Sequence, residues 1–339
     1  MTAVKIACGV PGAESVGTRW HGTVGAVAAA PHEDYRGGSV VRHRVHGEGE
    51  PILLLHGLGG CGLDWSLQVP ALERRFRVLV PDLPGCGSSL PPGGAYSIAR
   101  VASTLWSWLE QLDLPQISIV GFSMGGAIAL EMAIQRPALV PRLVLINSLA
   151  TYRDRWRKWL CARRCCALVR LVGMRRAARI FAAGLFPEPW QQTFRDRAEA
   201  VVAAVPTGTY LSMLRALECW DATDRLHRVQ SRTLVIAAEH DYTPLEEKRM
   251  LAARLAASLV VVHGSHHGTP FDASEATNSS LLAFLGDRPL PPYEQLLCDT
   301  PTRSQAEFMR VRSRVLELLE NTGVSPLPKR AGLDRQRCV

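Results

Sequence analysis

The stretch that most constrains this chain is Gly121-Phe122-Ser123-Met124-Gly125, set between a β-rich run, Gln116 to Val120, and an alanine-rich helical stretch that stops before Pro137. Extended chain must become helix there with no residues to spare. Such a turn closes only if the positions two before and two after its centre carry no side chain, because neighbouring backbone passes through that space. The turn lifts the Ser123 hydroxyl out at the C-terminal edge of a sheet and points the N-terminus of the following helix at the same spot. It requires strands followed by helices that pack back onto a sheet.

The rest of the chain keeps that beat. Val40 to Val45 alternates like a half-exposed strand, and Pro51 to Leu55 reads as a buried one entering the glycine-rich turn His56-Gly57-Leu58-Gly59-Gly60. Phe76 to Val80 leads into a loop of turn formers, Pro81-Asp82-Leu83-Pro84-Gly85-Cys86-Gly87-Ser88. Ser97 is placed to cap a helix whose apolar face is Ile98, Val101, Leu105, Leu109 and Leu112. Further strands fall at Leu143 to Ile146, Thr233 to Ala237 and Leu259 to Val262, with helices from Glu246 to Ala257 and Ser274 to Leu285. The pattern predicts a mostly parallel central sheet flanked by helices.

Between residues 152 and 225 the beat breaks into arginine-rich, apolar helical sequence, which reads as an inserted helical cap. The expected division is a loose extension over 1–37, core over 38–151, cap over 152–225, core again over 226–287, and a C-terminal extension over 288–339. That extension carries one helix with Phe308, Val311, Val315 and Leu318 on its apolar face.

With 47% hydrophobic and 21% charged residues the chain reads as an ordinary folded protein. No apolar run approaches the roughly 18 residues that would span a bilayer. Gly9, Pro11, Gly12, Glu14 and Arg19 break up any secretory leader. Nine cysteines form an odd set with no disulfide framework, so a reducing cytoplasm is the expected compartment. Cys161, Cys165 and Cys166 lack a zinc spacing, and neither a metal nor an organic cofactor is expected. Arg153 to Arg179 holds ten basic residues against the single acid Asp154, so the chain's formal charge of +8 is carried there. A solvated helix face accounts for that block; an acidic carrier protein, a CoA-like phosphate or an anionic membrane surface is the sharper reading. No nucleic-acid module accompanies the charge, and nucleic acid is not an expected partner.

A serine hydroxyl is a weak nucleophile and needs a base, itself oriented by an acid. The loops that end later strands offer Glu239 and Asp241 as acids, and His263, His266 and His267 as bases. The chain order serine, acid, histidine suits a parallel α/β sheet of this kind.

Taken together, His56-Gly57-Leu58-Gly59, the Asp82 to Ser88 loop, Gly121 to Gly126 and the turns at Asp241 and His267 resemble the α/β-hydrolase superfamily over Gly38 to Leu285. Within it the chain is similar to the capped serine hydrolases that include 3-oxoadipate enol-lactone hydrolases, meta-cleavage-product hydrolases, cofactor-free haloperoxidases, esterases, lipases and thioesterases. The resemblance implies the α/β-hydrolase fold with an inserted cap, Ser123 as nucleophile, Asp241 as orienting acid and His267 as general base. It implies oxyanion donors in the backbone N–H groups of Leu58 and Met124. Asp241 is favoured over Glu239 by Thr243-Pro244 following it, and His267 over His266 by Gly268-Thr269-Pro270. His56 is assigned a structural role in its turn.

Two positions depart from the family pattern: Ala238 stands where a glycine usually opens the acid turn, and Asn147-Ser148 stand where some lipases and dehalogenases keep their acid. Serine at the turn, in place of aspartate, sets aside haloalkane dehalogenase and epoxide hydrolase chemistry. The expected activity is cleavage of a carboxylic ester or lactone of a small molecule through an acyl-Ser123 intermediate. A thioesterase or lipid-acyl hydrolase docking an anionic substrate on the basic cap is the alternative, and a non-catalytic receptor or scaffold with this fold is the alternative of another class. The oligomeric state is left open.

Overall fold

The computed structural model describes residues 41–152, 165–292 and 296–299. The extension over 1–37 and the helix expected around Phe308 to Leu318 lie outside the described residues, as do Trp156, Trp159 and Leu160 of the basic block.

Seven strands form one sheet: β1 (His43–His46), β2 (Glu50–Leu55), β3 (Phe76–Pro81), β4 (Ser118–Phe122), β5 (Arg142–Ile146), β6 (Arg232–Ala238) and β7 (Ser258–Val262). Their order is β1-β3-β2-β4-β5-β6-β7, with β1 antiparallel to β3 and every other pairing parallel. Side chains alternate across the strands, and both faces are covered. Leu53, Leu55, Ile119, Leu143 and Leu145 pack under α2 (Ile98–Glu110) and α3 (Met124–Gln135). Ile52, Leu54, Val120, Val144, Ile146, Leu234 and Ile236 face Trp65, Leu72 of α1 (Val69–Leu72) and Phe284. Burial on two faces is why the strands read as unbroken apolar runs rather than as polar-apolar alternation.

Ser97 caps α2 as its position suggests, its Oγ accepting from the Arg100 N–H at 3.2 Å. β4 begins two residues later than expected and runs through Gly121 and Phe122, because both pair with Leu145 and Ile146 of β5. The helix expected to reach Ala257 is α7 (Leu245–Arg254), which stops early. Ala256 takes a φ of +49° and the Ala257 N–H returns to the Ala252 carbonyl at 2.8 Å, turning the chain into β7.

Between β5 and β6 the described chain is helical: 165–172, α4 (Met174–Leu185), α5 (Gln192–Ala204) and α6 (Thr207–Cys219). These helices share a small core of Val169, Met174, Ala177, Ala178, Val202, Val205 and Tyr210. They also press on the loops at the C-terminal ends of the strands: a Cβ at Gly59 would strike Tyr210, at Gly85 Thr209, and at Gly268 Phe186. Of the apolar residues in this segment, Val169 is buried, Leu168 and Val172 are half-buried and Leu171 is 84% exposed. Leu171 falls on the outer side of its turn, beside exposed Arg170, and so joins neither core. No single helix among the described residues is long and apolar enough to cross a membrane.

Candidate active site

Ser123 sits between β4 and α3 with φ +54° and ψ −118°, a backbone state that side-chain-bearing residues rarely hold. Its N–H is tied to the Ile146 carbonyl at 2.9 Å. A Cβ on Gly121 would run into the Gly125 backbone, and one on Gly125 into the Leu55 carbonyl, so both glycines are demanded by close approach. Met124 opens α3, where the first N–H groups of a helix have no intrahelical acceptor. Leu58 follows Gly57, whose position for a Cβ lies 3.5 Å from the Ser123 Cβ. Both backbone N–H groups named from sequence therefore belong to turns that border Ser123.

His267 is buried in the loop between β7 and α8 (Thr269–Asp272). Its Nε2 lies 2.9 Å from Ser123 Oγ and its Nδ1 lies 2.8 Å from Asp241 Oδ1. An ionised Asp241 only accepts, so Nδ1 carries the ring proton and Nε2 is the free acceptor facing the serine. The Asp241 carboxylate also accepts from the Thr243 N–H at 3.0 Å and Thr243 Oγ1 at 2.7 Å. Burial works to raise this carboxyl, but His267, through the charge it carries when protonated and its Nδ1–H hydrogen bond, joined by the charge and hydrogen bond of Lys248, outweighs it and holds Asp241 well below the usual carboxylate range.

The alternatives weighed from sequence lie elsewhere. Glu239 accepts from the Gly264 N–H at 3.0 Å and faces His263 at 3.4 Å. His266 points toward Glu188 at 4.0 Å and lies beside His240 with the rings tilted, and burial lowers its pKa. His56 is buried and bridges two loops: its Nε2 accepts from the Leu83 N–H at 2.9 Å, leaving Nδ1 to donate to the Gly57 carbonyl at 2.9 Å.

Three residues at the site were not singled out by sequence as contributors. Asn147, with φ +46°, accepts at Oδ1 from the Ala238 N–H at 2.8 Å, while its Nδ2 donates to the His267 carbonyl at 2.8 Å and Thr269 Oγ1 at 2.7 Å. It ties the ends of β5 and β6 to the histidine loop. Lys248 on α7 is fully buried, and its Nζ meets Asp241 Oδ2 and, at 3.1 Å, Asn147 Oδ1. The Tyr242 hydroxyl lies 3.0 Å from His267 Nε2, with its ring centroid 4.2 Å from that of the imidazole and tilted by 31°. An asparagine closing a buried strand was a usable signal, because asparagine tolerates positive φ. Lys248 gave none, since a lysine among charged helix neighbours reads as surface. Among the described residues no cluster of His, Cys, Asp or Glu is suited to hold a metal.

The seven-stranded, mostly parallel sheet flanked by helices is that of the α/β hydrolases, and residues 50–273 match the family described as alpha/beta hydrolase fold. The chain belongs to this family of enzymes. Among curated proteins it is similar to "Putative carbamate hydrolase RutD" of Stutzerimonas stutzeri (strain A1501), at 31% identity over 264 residues covering 73% of this chain and 97% of that protein. Among solved structures it resembles a hydrolase from Pseudomonas aeruginosa PA01, at 28% identity and a TM-score of 0.66 covering 73% of this chain and 94% of the other. It also resembles a thermophilic esterase from Thermogutta terrifontis, at 27% identity and a TM-score of 0.66 covering 73% and 93%.

Proposed function

We propose that this enzyme hydrolyses a carboxylic ester or lactone of a small molecule through an acyl-Ser123 intermediate. The observation that carries the reading is the unbroken relay from Ser123 Oγ through His267 to Asp241, with both links under 3 Å. As Oγ attacks the carbonyl carbon, His267 Nε2 takes its proton while Asp241 holds the ring in the required tautomer. The developing oxyanion is received by the backbone N–H groups of Met124 and Leu58. Collapse breaks the bond to the alkoxide, which leaves with the proton from Nε2. Water, deprotonated by the same nitrogen, then cleaves the acyl-enzyme. The helices over 165–219 act in this reading as the cap that roofs the site.

The relatives named for carbamate hydrolysis support a second substrate class. A carbamate carbonyl would accept the same attack and give a carbamoyl-Ser123. Exposed Arg170, Arg175 and Arg176 support the alternative of an anionic thioester or lipid-acyl substrate, carrier or membrane surface.

A fluorophosphonate probe tests the common core of these readings. Wild type is expected to label stoichiometrically and Ser123→Ala not at all; a well-folded wild type that stays unlabelled would favour a non-catalytic scaffold. His267→Ala should lower kcat/KM by about 10⁴-fold or more, with His266→Ala near wild type, and the reverse order would overturn the assignment of the base. A panel of p-nitrophenyl esters, carbamates and acyl-thioesters, run at low and high salt, then separates a small neutral substrate from a charge-docked one.

A further inference from the structure

We propose that Lys248 is a positioning residue that sets the acid limit of this enzyme's activity: by pairing with Asp241 it keeps His267 Nε2 free of a proton, and able to act as a base, at lower pH than an unpaired acid would allow. The inference rests on the relay proposed above and concerns how that relay is tuned.

The placement is specific. Lys248 is seven residues beyond Asp241, on the face of α7 that packs against the sheet, and the two side chains are 0% and 1% exposed. Its Nζ takes the carboxylate oxygen that His267 does not use, and is held there by Asn147 Oδ1, which is itself fixed by the Ala238 N–H. A lysine is not buried without a partner, because the desolvated ammonium is strongly disfavoured. Burial pulls its pKa down while Asp241 pulls the other way. The pair is thus a buried, fixed dipole whose positive end lies behind the carboxylate.

That dipole changes what protonating the imidazole means. Beside a lone carboxylate, a proton on His267 would neutralise the site. Beside a carboxylate already paired with Lys248, the same proton leaves a net positive charge in a region sheltered from water, and is less favoured. The other groups facing this centre keep that balance. Ser123 and the Tyr242 phenol are neutral partners of Nε2, and Thr243 is a neutral donor to Asp241. Around Asp241 at longer range stand Tyr152 after β5, His266 in the histidine loop and Asp272 in α8, while Glu247 acts on Lys248 from α7. Lys248 is the cation in direct contact with the acid.

The test is the pH dependence of kcat/KM and of the fluorophosphonate labelling rate in wild type, Lys248→Met and Lys248→Gln. Methionine keeps the length and removes the charge; glutamine keeps donors for Asp241 and Asn147 without the charge. Both variants are expected to move the acid limb of the profile upward by about one pH unit, the glutamine variant no less than the methionine one. A drop in rate that is uniform across pH, with the limb unmoved in either variant, would reduce Lys248 to packing and overturn the inference. Failure of wild type to label at Ser123 would instead defeat the relay itself, so the two failures are distinguishable.

Discussion

A neutral imidazole has one nitrogen able to accept a proton, and at His267 two hydroxyls compete for it: Ser123 Oγ at 2.9 Å and the Tyr242 phenol at 3.0 Å. In the proposed mechanism the serine loses its base whenever the phenol donates to Nε2. In that mechanism Nε2 also hands a proton to the departing oxygen, so the phenol stands where a leaving group would come. Tyr242→Phe is therefore expected to raise the fluorophosphonate labelling rate by about twofold, as one of two similar donors is removed; a slower rate would mean that the phenol assists attack. Sequence could not suggest this contest. Tyr242 is simply the residue after the acid, and its ring direction is set by packing on an imidazole 25 positions away.

At the scale of elements, α3 does two jobs. Its first turn holds the strained serine, and its body anchors the chain returning from the helices between β5 and β6. Glu131, buried in the middle of α3, accepts from Trp220 Nε1 and Arg225 Nη1, each at 2.9 Å. Burial alone would raise this carboxyl, but the bonds from Arg225 and Trp220 hold its pKa below the ordinary value. Glu131→Ala leaves a buried indole N–H unpaired and is expected to cost about 2–4 kcal/mol in urea unfolding. Glu131→Gln, which can still accept from Trp220, should cost less, and equal losses would show that the polar contacts contribute little. The strands and α2 were readable because their signals are local: apolar runs, a capping serine, glycines with no room for a Cβ. Where the boundaries moved, as at β4 and the end of α7, pairing with a neighbour or a turn into the next strand outweighed local preference.

Across the whole molecule, Asp272 joins the histidine loop to the helices between β5 and β6. It is buried and accepts from Ser265 Oγ at 2.7 Å, the His266 N–H at 3.0 Å and Gln191 Nε2, which reaches across from between α4 and α5 at 3.2 Å. Burial dominates there and pushes its pKa up from 3.8 to about 6, against those hydrogen bonds. Between these values the unfolded carboxyl has lost its proton while the folded one keeps it. The folded state is therefore relatively most stable below pH 3.8 from this group, and that advantage is lost as pH rises through about 6. Asp299, raised to about 7 chiefly by burial, acts in the same direction. Asp241 acts oppositely, withdrawing stability as pH falls below the ordinary carboxylate range. The expected result is a melting temperature that rises as pH is lowered from 8 to 5.5, with Asp272→Asn flattening the rise near its acid end by roughly 1 kcal/mol of pH-dependent stability. An identical slope in the variant would remove Asp272 as its source.

Sequence by itself determined the alternation of strand and helix and the location of the strained serine, because both follow from sterics and apolar periodicity within a few residues. It narrowed the partners of that serine to two acids and three histidines at strand ends. Tertiary structure decided which of them meet, since the contacts span 144 residues from Ser123 to His267 and 26 from Asp241 to His267. Only there did the charge environment emerge: a lysine drawn inward from a charged helix, an asparagine lacing three loops and a phenol at the reacting nitrogen. Side-chain direction at a loop end is set by what packs on it, and that is a property of the assembled sheet rather than of any short stretch of chain.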